Sequence, residues 1–249
     1  ANEGPAIWPG EPAPLPDPEF IHQARVALRR LRTGLRLFRA HLGAGWVAHW
    51  SAEWKSVADA LGTARNWDVL ATEWLPDLLP ALSADAAAQD LQDWVDVQRR
   101  QALRHAGEVL ASPAHALRTL AFARAVIHLA PPARRQTPDL AGWARGTLRQ
   151  GHARLRQQAR RARHLGPEGR HDLRLALKKL RYTQEFLASL LPPRRAARST
   201  ASLSDAQALL GTLNDLSTAQ ALLAQAPADL SPGVIGPLRA ALQQRLETG

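Results

Sequence analysis

The sequence predicts an all-α protein built from two similar halves, and three observations carry that expectation. Ala, Leu, Arg and Gln, all good helix formers, dominate the 249 residues, and runs of Val, Ile and Thr are absent. No stretch alternates apolar and polar residues as a half-buried strand does. Finally, two separate motifs recur at one fixed spacing, the mark of a duplicated unit. At 45% apolar residues the chain can bury a real core, as one large domain or two compact halves.

Residues 1–18 (ANEGPAIWPGEPAPLPDP) are proline-rich and read as a tail or linker. Asp17-Pro18-Glu19 opens the first helix, since proline and acidic residues suit a first turn. Helical patterning runs over about 19–42. A second segment, about 45–75, places Trp46, Trp50, Trp54, Val57 and Leu61 on one face. Leu78-Leu79-Pro80 interrupts it. A third helix covers about 83–110 with Leu91, Trp94, Val95 and Gln98 on a stripe, and Pro113 starts a fourth that lasts to about 129. Pro131-Pro132 through Pro138 marks the boundary between halves, 19–131 and 135–249. Beyond it, helices are expected over about 138–164, 169–190, 196–226 and 233–247, punctuated by Gly166-Pro167, Pro192-Pro193 and Ser231-Pro232-Gly233.

The duplication is explicit. His22-x-x-Arg25-x-x-x-Arg29-Arg30-Leu31-Arg32 returns as His171-x-x-Arg174-x-x-x-Lys178-Lys179-Leu180-Arg181, 149 residues on at every matched position. Leu61-Gly62-Thr63-Ala64-Arg65-Asn66 pairs with Leu210-Gly211-Thr212-Leu213-Asn214-Asp215 at the same offset. Two similar helical bundles related by approximate two-fold symmetry are the simplest outcome. The copies differ in places: Arg36 corresponds to Glu185, and Asp68 to Ser217.

Charge gives the chemistry. The net charge is +10, and the only lysines among 32 basic residues are Lys55, Lys178 and Lys179. Arginine's planar fork suits bidentate contact with phosphate oxygens, although a GC-rich genome enriches arginine without functional cause. On a helix, His22, Arg25, Arg29, Arg32 and Arg36 share a face less than a third of the circumference wide. Leu28, Leu31 and Leu35 lie opposite. His171, Arg174, Lys178 and Arg181 repeat this face, with Leu173, Leu177, Leu180 and Leu187 turned away. Neighbouring like charges cost a few tenths of a kcal/mol per pair, on the order of 0.2–0.5. A helix that needs only solubility intersperses acids there; this ladder instead suits a surface covered by an anion. Arg30 and Lys179 flank the ladders. The helix over 138–164 adds Arg145, Arg149, His152, Arg156, Arg160 and Arg163, with Arg154 and Arg161 beside them; it either walls the same groove or forms a charged outer face.

These motifs resemble the CHAD family, the conserved-histidine α-helical domain, over about residues 19–247. The family shows a histidine with trailing Arg and Lys at helical spacing in each half, the second copy reading close to Lys178-Lys179-Leu180-Arg181-Tyr182. The paired Leu-Gly elements, with Arg65-Asn66-Trp67-Asp68-Val69 after the first and Asn214-Asp215 after the second, fit as well. Asn66 departs from the acidic residue usual at its position. The resemblance implies two four-helix bundles in pseudo-two-fold arrangement, binding of inorganic polyphosphate, and association with polyphosphate granules in bacteria. The Glu-x-Glu-x-Lys signature of the triphosphate-tunnel enzyme domain fused to some members is absent from this sequence.

Other classes are weaker. Cysteine is absent, which excludes disulfides and thiolate metal sites and is compatible with a reducing cytoplasm. No apolar run approaches the roughly 20 residues of a membrane span, and a signal-peptide profile is not seen at the start. The apolar faces look committed to bundle cores, which disfavours a membrane-surface role. His22 and His171 stand among cations that repel a metal ion, and carboxylates are thin around both, so neither a metal centre nor a catalytic histidine is expected. A hydrogen bond from each histidine to phosphate, or a role in helix packing, remains. Nucleic acid is the serious alternative partner, since phosphate contacts carry no sequence information. Single-strand readers interleave aromatics with their cations, however, and neither ladder does so except at Tyr182.

Overall fold

The computed structural model describes residues 15–79, 86–129, 139–162, 167–227, 230 and 232–248. Most of the proline-rich tail and the expected boundary at 130–138 lie outside these residues. So do several side chains within helices, among them those of His171 and of residues 193–200.

The described residues form an all-α fold. Helix α1 (Pro18–Leu37) starts where expected: the Asp17 carboxylate accepts from the Glu19 N–H at 2.8 Å, and Pro18 takes the first turn. It stops at Phe38, short of the expected 42, and a single turn, α2 (Arg39–Leu42), follows. Gly43 links it to α3 (Ala44–Val69) at φ 87°, a backbone region open to glycine and strained for other residues. The end of α3 widens into one π-helical turn, Leu70–Trp74, in which the Leu75 N–H reaches back to the Leu70 carbonyl. Pro76 follows directly; a proline ring crowds the carbonyl four residues earlier and cannot donate, so the preceding turn opens. The short α4 (Leu75–Leu78) completes this stretch.

Helix α5 (Ala86–Ala111) is followed by α6 (Pro113–Ile127), whose start is capped by Ser112 accepting from the His115 N–H at 3.1 Å. Next come α7 (Leu140–Ala162), α8 (Pro167–Leu187) with a 3-10 turn at Ala188–Leu190, α9 (Pro193–Leu223) and α10 (Pro232–Thr248). The duplication is visible in the element starts. Pro18 and Pro167 open α1 and α8, and Ala44 and Pro193 open α3 and α9, each pair separated by the same 149 residues as the motifs.

Neighbour relations repeat as well. Helix α3 packs on α1 and α5, and α9 on α8 and α10; α7 lies against α8. The copies meet where α1 touches α8 and α3 touches α9. Of the tryptophan stripe, Trp50, Trp54, Val57 and Leu61 are buried, and the Phe122 ring of α6 sits 5.0 Å from Trp50 and 5.5 Å from Trp54. The larger apolar cluster joins α1, α3 and α5 to Leu216, Leu222 and Leu223 of α9 and Leu238 and Leu242 of α10. A smaller one joins Ala144 and Leu148 of α7, Leu177, Leu180 and Leu187 of α8, and Leu203 of α9. Among the described residues no helix is long and apolar enough to cross a membrane.

Candidate functional site

The leucine stripes fix which way the cations point. Ile21, Leu28 and Leu35 bury one side of α1, and Leu177, Leu180 and Leu187 bury one side of α8. The opposite edges then face each other where the helices meet. They enclose a cavity of about 340 Å³ into which α1 sends His22, Arg25 and Arg29, and α8 sends Arg174 and Lys178. Helix α3 adds Arg65 and Asn66, and α9 adds Asp215. Asn66 and Asp215 are counterparts at the 149-residue offset, so the two copies of the second motif meet here as well.

These cations are poorly compensated. Arg25, Arg29 and Lys178 have no ion pair or side-chain hydrogen bond among the described residues. Arg174 comes within 3.5 Å of Asp215, a long contact. Nε of Arg29, Nε of Arg174 and Nδ1 of His22 are buried without a hydrogen-bond partner. Buried donors left unmade each cost roughly 1–3 kcal/mol, which a ligand offering oxygen acceptors removes.

The titration behaviour follows from this crowding. Burial, then the Arg174, Arg29 and Arg25 guanidiniums, push the Lys178 ammonium down to about 7, against a smaller opposing pull from Asp215. Burial and neighbouring Arg29 push Arg25 down to about 10. Burial, then Arg65, lower His22, with Glu19 opposing. Lys178 carries a testable consequence. An anion in the cavity favours its charged form, so binding above about pH 7 must take up a proton. Affinity for a phosphate polymer should therefore fall by up to about tenfold per pH unit above that point. Folding responds with the opposite sign. The unfolded chain binds this proton up to a higher pH than the folded one, so this group makes stability rise with pH above about 7. Calorimetric titrations and unfolding at pH 6, 7 and 8 check both slopes. Lys178→Arg should flatten them.

Arg65 was not among the residues expected from sequence to bind the anion, yet it lines the cavity. Its Nη1 donates to Oδ2 of Asp68 at 2.7 Å and its Nη2 to Glu73 at 2.8 Å. Asp68, 4% exposed, also accepts from Nε and Nη2 of Arg99 on α5 at 3.0 and 2.8 Å. The π turn brings Glu73 and Trp74 to the same wall. The signal available in the sequence was position: Arg65 stands inside the repeated Leu61–Asn66 element.

The remaining expected residues spread over other surfaces. Arg30 and Arg181 converge on one carboxylate, Glu185, at 3.4 and 3.2 Å. Arg32 does not line the cavity; its Nε is buried without a partner, and burial and Arg36 lower its proton affinity. Arg36 and Lys179 line a second cleft with Arg154 of α7. Arg145 lies 3.7 Å from Asp139 at the start of α7, and Arg149 and Arg156 are exposed along α7, lining neither space. The His171 side chain is outside the described residues. Tyr182 is buried beneath the Arg181 guanidinium, 4.9 Å from its ring centre, which removes it as a stacking platform. Trp74, half-buried, is the cavity's aromatic lining. Among the described residues no group of three His, Asp or Glu side chains is placed to hold a metal ion.

Comparison with known proteins places this geometry. A family model for the CHAD domain matches residues 8–224. The structure is similar to the crystal structure of the CHAD domain from the plant Ricinus communis, at 27% identity and a TM-score of 0.78, covering 93% of this chain and 78% of that one. It is also similar to PptA from Streptomyces chartreusis, at 21% identity and a TM-score of 0.67, covering 93% and 87% respectively; at that identity the likeness concerns the fold alone. Comparison with curated proteins gives no match.

Proposed function

The chain belongs to the CHAD family, and from that premise we propose that it binds inorganic polyphosphate in the α1–α8 cavity without catalysing a reaction. One observation carries the reading. Two helices at equivalent positions in a duplicated sequence turn Arg25, Arg29, Arg174 and Lys178 into one cavity, and three of the four lack a counter-ion among the described residues. Such a set repels itself until a ligand supplies several negative charges at close spacing. A phosphate polymer does so with oxygens alone, each able to accept from a guanidinium fork. His22, with its unpartnered Nδ1, supplies a further donor at the rim, and its protonation is favoured once the anion is bound.

The reading extends to the arrangement that the duplication suggests: two four-helix bundles related by approximate two-fold symmetry, with the polymer at the axis. It also extends to location, in the cytoplasm at polyphosphate granules. The polymer, a poly-ion with about one charge per phosphate, releases counterions on binding, so affinity falls steeply with salt.

Nucleic acid offers the same phosphates with bases attached. Among the described residues the cavity is lined by one half-buried indole, Trp74, which gives those bases little to stack on. Competition at physiological salt between long-chain polyphosphate and single-stranded DNA, matched in phosphate concentration, tests the reading. Polyphosphate should displace the DNA at roughly stoichiometric amounts. DNA that holds its ground against an excess of polyphosphate overturns the assignment.

A further inference from the structure

A second cleft, of about 300 Å³, opens between α1, α7 and α8. On α8 its lining residues Ala176, Lys179 and Thr183 occupy the side of the helix opposite Arg174 and Lys178, so it is separate from the cavity. Three cations meet there: Arg36 of α1, Arg154 of α7 and Lys179 of α8. Among the described residues, threonine and glutamine side chains make up its polar lining, with no carboxylate among them. The ammonium of Lys179 loses proton affinity through burial and then through Arg36 and Arg154, which places all three charges within reach of one another. None of the three has an ion pair or side-chain hydrogen bond among the described residues.

The duplication supplies a comparison inside the same molecule. Moving 149 residues along the chain, Arg36 corresponds to Glu185 and Lys179 to Arg30. At that other seam the charges are opposite and they close: Arg30 lies 3.4 Å from Glu185 and 5.8 Å from the ring centre of Phe186. Phe186 in turn fills the space against Gly34, where an added Cβ would lie 3.5 Å from the ring. At the cleft, Leu37 stands at the position of Phe186 and Thr183 at that of Gly34. One seam has become a filled contact in which a carboxylate offsets part of the positive charge. Its counterpart carries a guanidinium where the carboxylate would be, keeps its space open, and receives a third cation from α7.

We propose that this cleft is a second oxyanion site, independent of the cavity, for a compact anion of two or three phosphate groups. For the chemical class of its ligand it rests on the phosphate reading of the cavity, but it stands on different residues. Calorimetric titration of the full chain with inorganic tripolyphosphate, and separately with pyrophosphate, tests it. The wild type should take up two equivalents of tripolyphosphate. Arg36→Glu restores the carboxylate found at the other seam, so it should keep the fold through a pair with Lys179 and remove one equivalent. Arg154→Glu, an exposed change on α7, should weaken the same equivalent at least tenfold and leave the other within about twofold. The pair Arg25→Glu, Arg174→Glu should do the reverse, removing the cavity equivalent alone.

A wild type that binds one equivalent, lost on reversing Arg25 and Arg174 and untouched by Arg36→Glu and Arg154→Glu, overturns the second site and leaves the cavity reading intact. Loss confined to Arg36→Glu and Arg154→Glu supports the second site and overturns the cavity reading. If neither short phosphate binds at the cleft while long-chain polyphosphate affinity falls in Arg154→Glu, the cleft is an extension of the polymer's path, and the independent site is refuted.

Discussion

With Arg25 and Arg174 both replaced by glutamate, affinity for long-chain polyphosphate falls by about 100-fold or more while far-UV helicity is unchanged. A hydrogen bond to a charged group contributes about 1.5–3 kcal/mol, and each reversal also introduces a repulsive charge, so two of them exceed about 3 kcal/mol, a factor of at least 100. The helices do not depend on these two side chains, because both lie on the cavity side, away from the buried leucines. Relief of the crowding around Arg29 and Lys178 should even raise the stability of the unliganded protein near neutral pH. Reversing Arg149 and Arg156, exposed on α7, alters the net charge by the same amount and should weaken binding only a few-fold. Equal losses in the two variants would mean that the polymer responds to overall charge and has no preference for the cavity. Titration calorimetry with circular dichroism on both double variants makes the comparison.

Asp68→Ala is expected to produce the largest loss of stability among the polar substitutions. This buried carboxylate accepts from Arg99 on α5 and from Arg65 on its own helix, so it ties α3 to α5 beside the cavity. Removing one partner of a buried ion pair costs about 3–5 kcal/mol. Here the two arginine side chains are 24% and 27% exposed and recover some hydration, which moves the expectation to about 2–3 kcal/mol. For a chain of this size that lowers the melting temperature by roughly 4–12 °C. Arg65, then held by Glu73 alone, loses its fixed orientation at the cavity wall, and polyphosphate affinity should drop several-fold even below the melting range. Asp68→Asn keeps the shape and part of the hydrogen bonding and should show a smaller loss of both. The position carries Ser217 in the second copy, so this clamp serves the first copy only. An unchanged melting temperature in Asp68→Ala would refute the clamp.

Helix positions were legible because their punctuation is chemical. Pro18 and Pro113 start helices as expected, Pro167, Pro193 and Pro232, read as breaks, are themselves first residues of helices, and the 3-4 spacing of leucines marks the buried sides. The ladder was legible only as a face. Spacing puts Arg25, Arg29, Arg32 and Arg36 on one stripe of α1, but α8 meets only part of that stripe, and how two helices cross is a property of their packing surfaces. Arg25 and Arg29 thus meet Arg174 and Lys178, while Arg36 meets Lys179 and Arg154. The Arg36-to-Glu185 difference between copies was visible in the sequence. Its pairing with Arg181 is an i,i+4 contact within α8, but its hold on Arg30 needed the contact across the helices. Arg65 went unassigned because its neighbours in sequence read as a structural motif, and the packing of α3 against α1 and α9 brings it to the cavity.

A crystal structure of the protein grown with polyphosphate bears most directly on the central claim. Density for linked phosphates should run through the α1–α8 cavity, with oxygens within hydrogen-bonding distance of Arg25, Arg29, Arg174 and Lys178. Phosphates resting instead along Arg145, Arg149 and Arg156 on the outer side of α7, with those four cations bare, would contradict it.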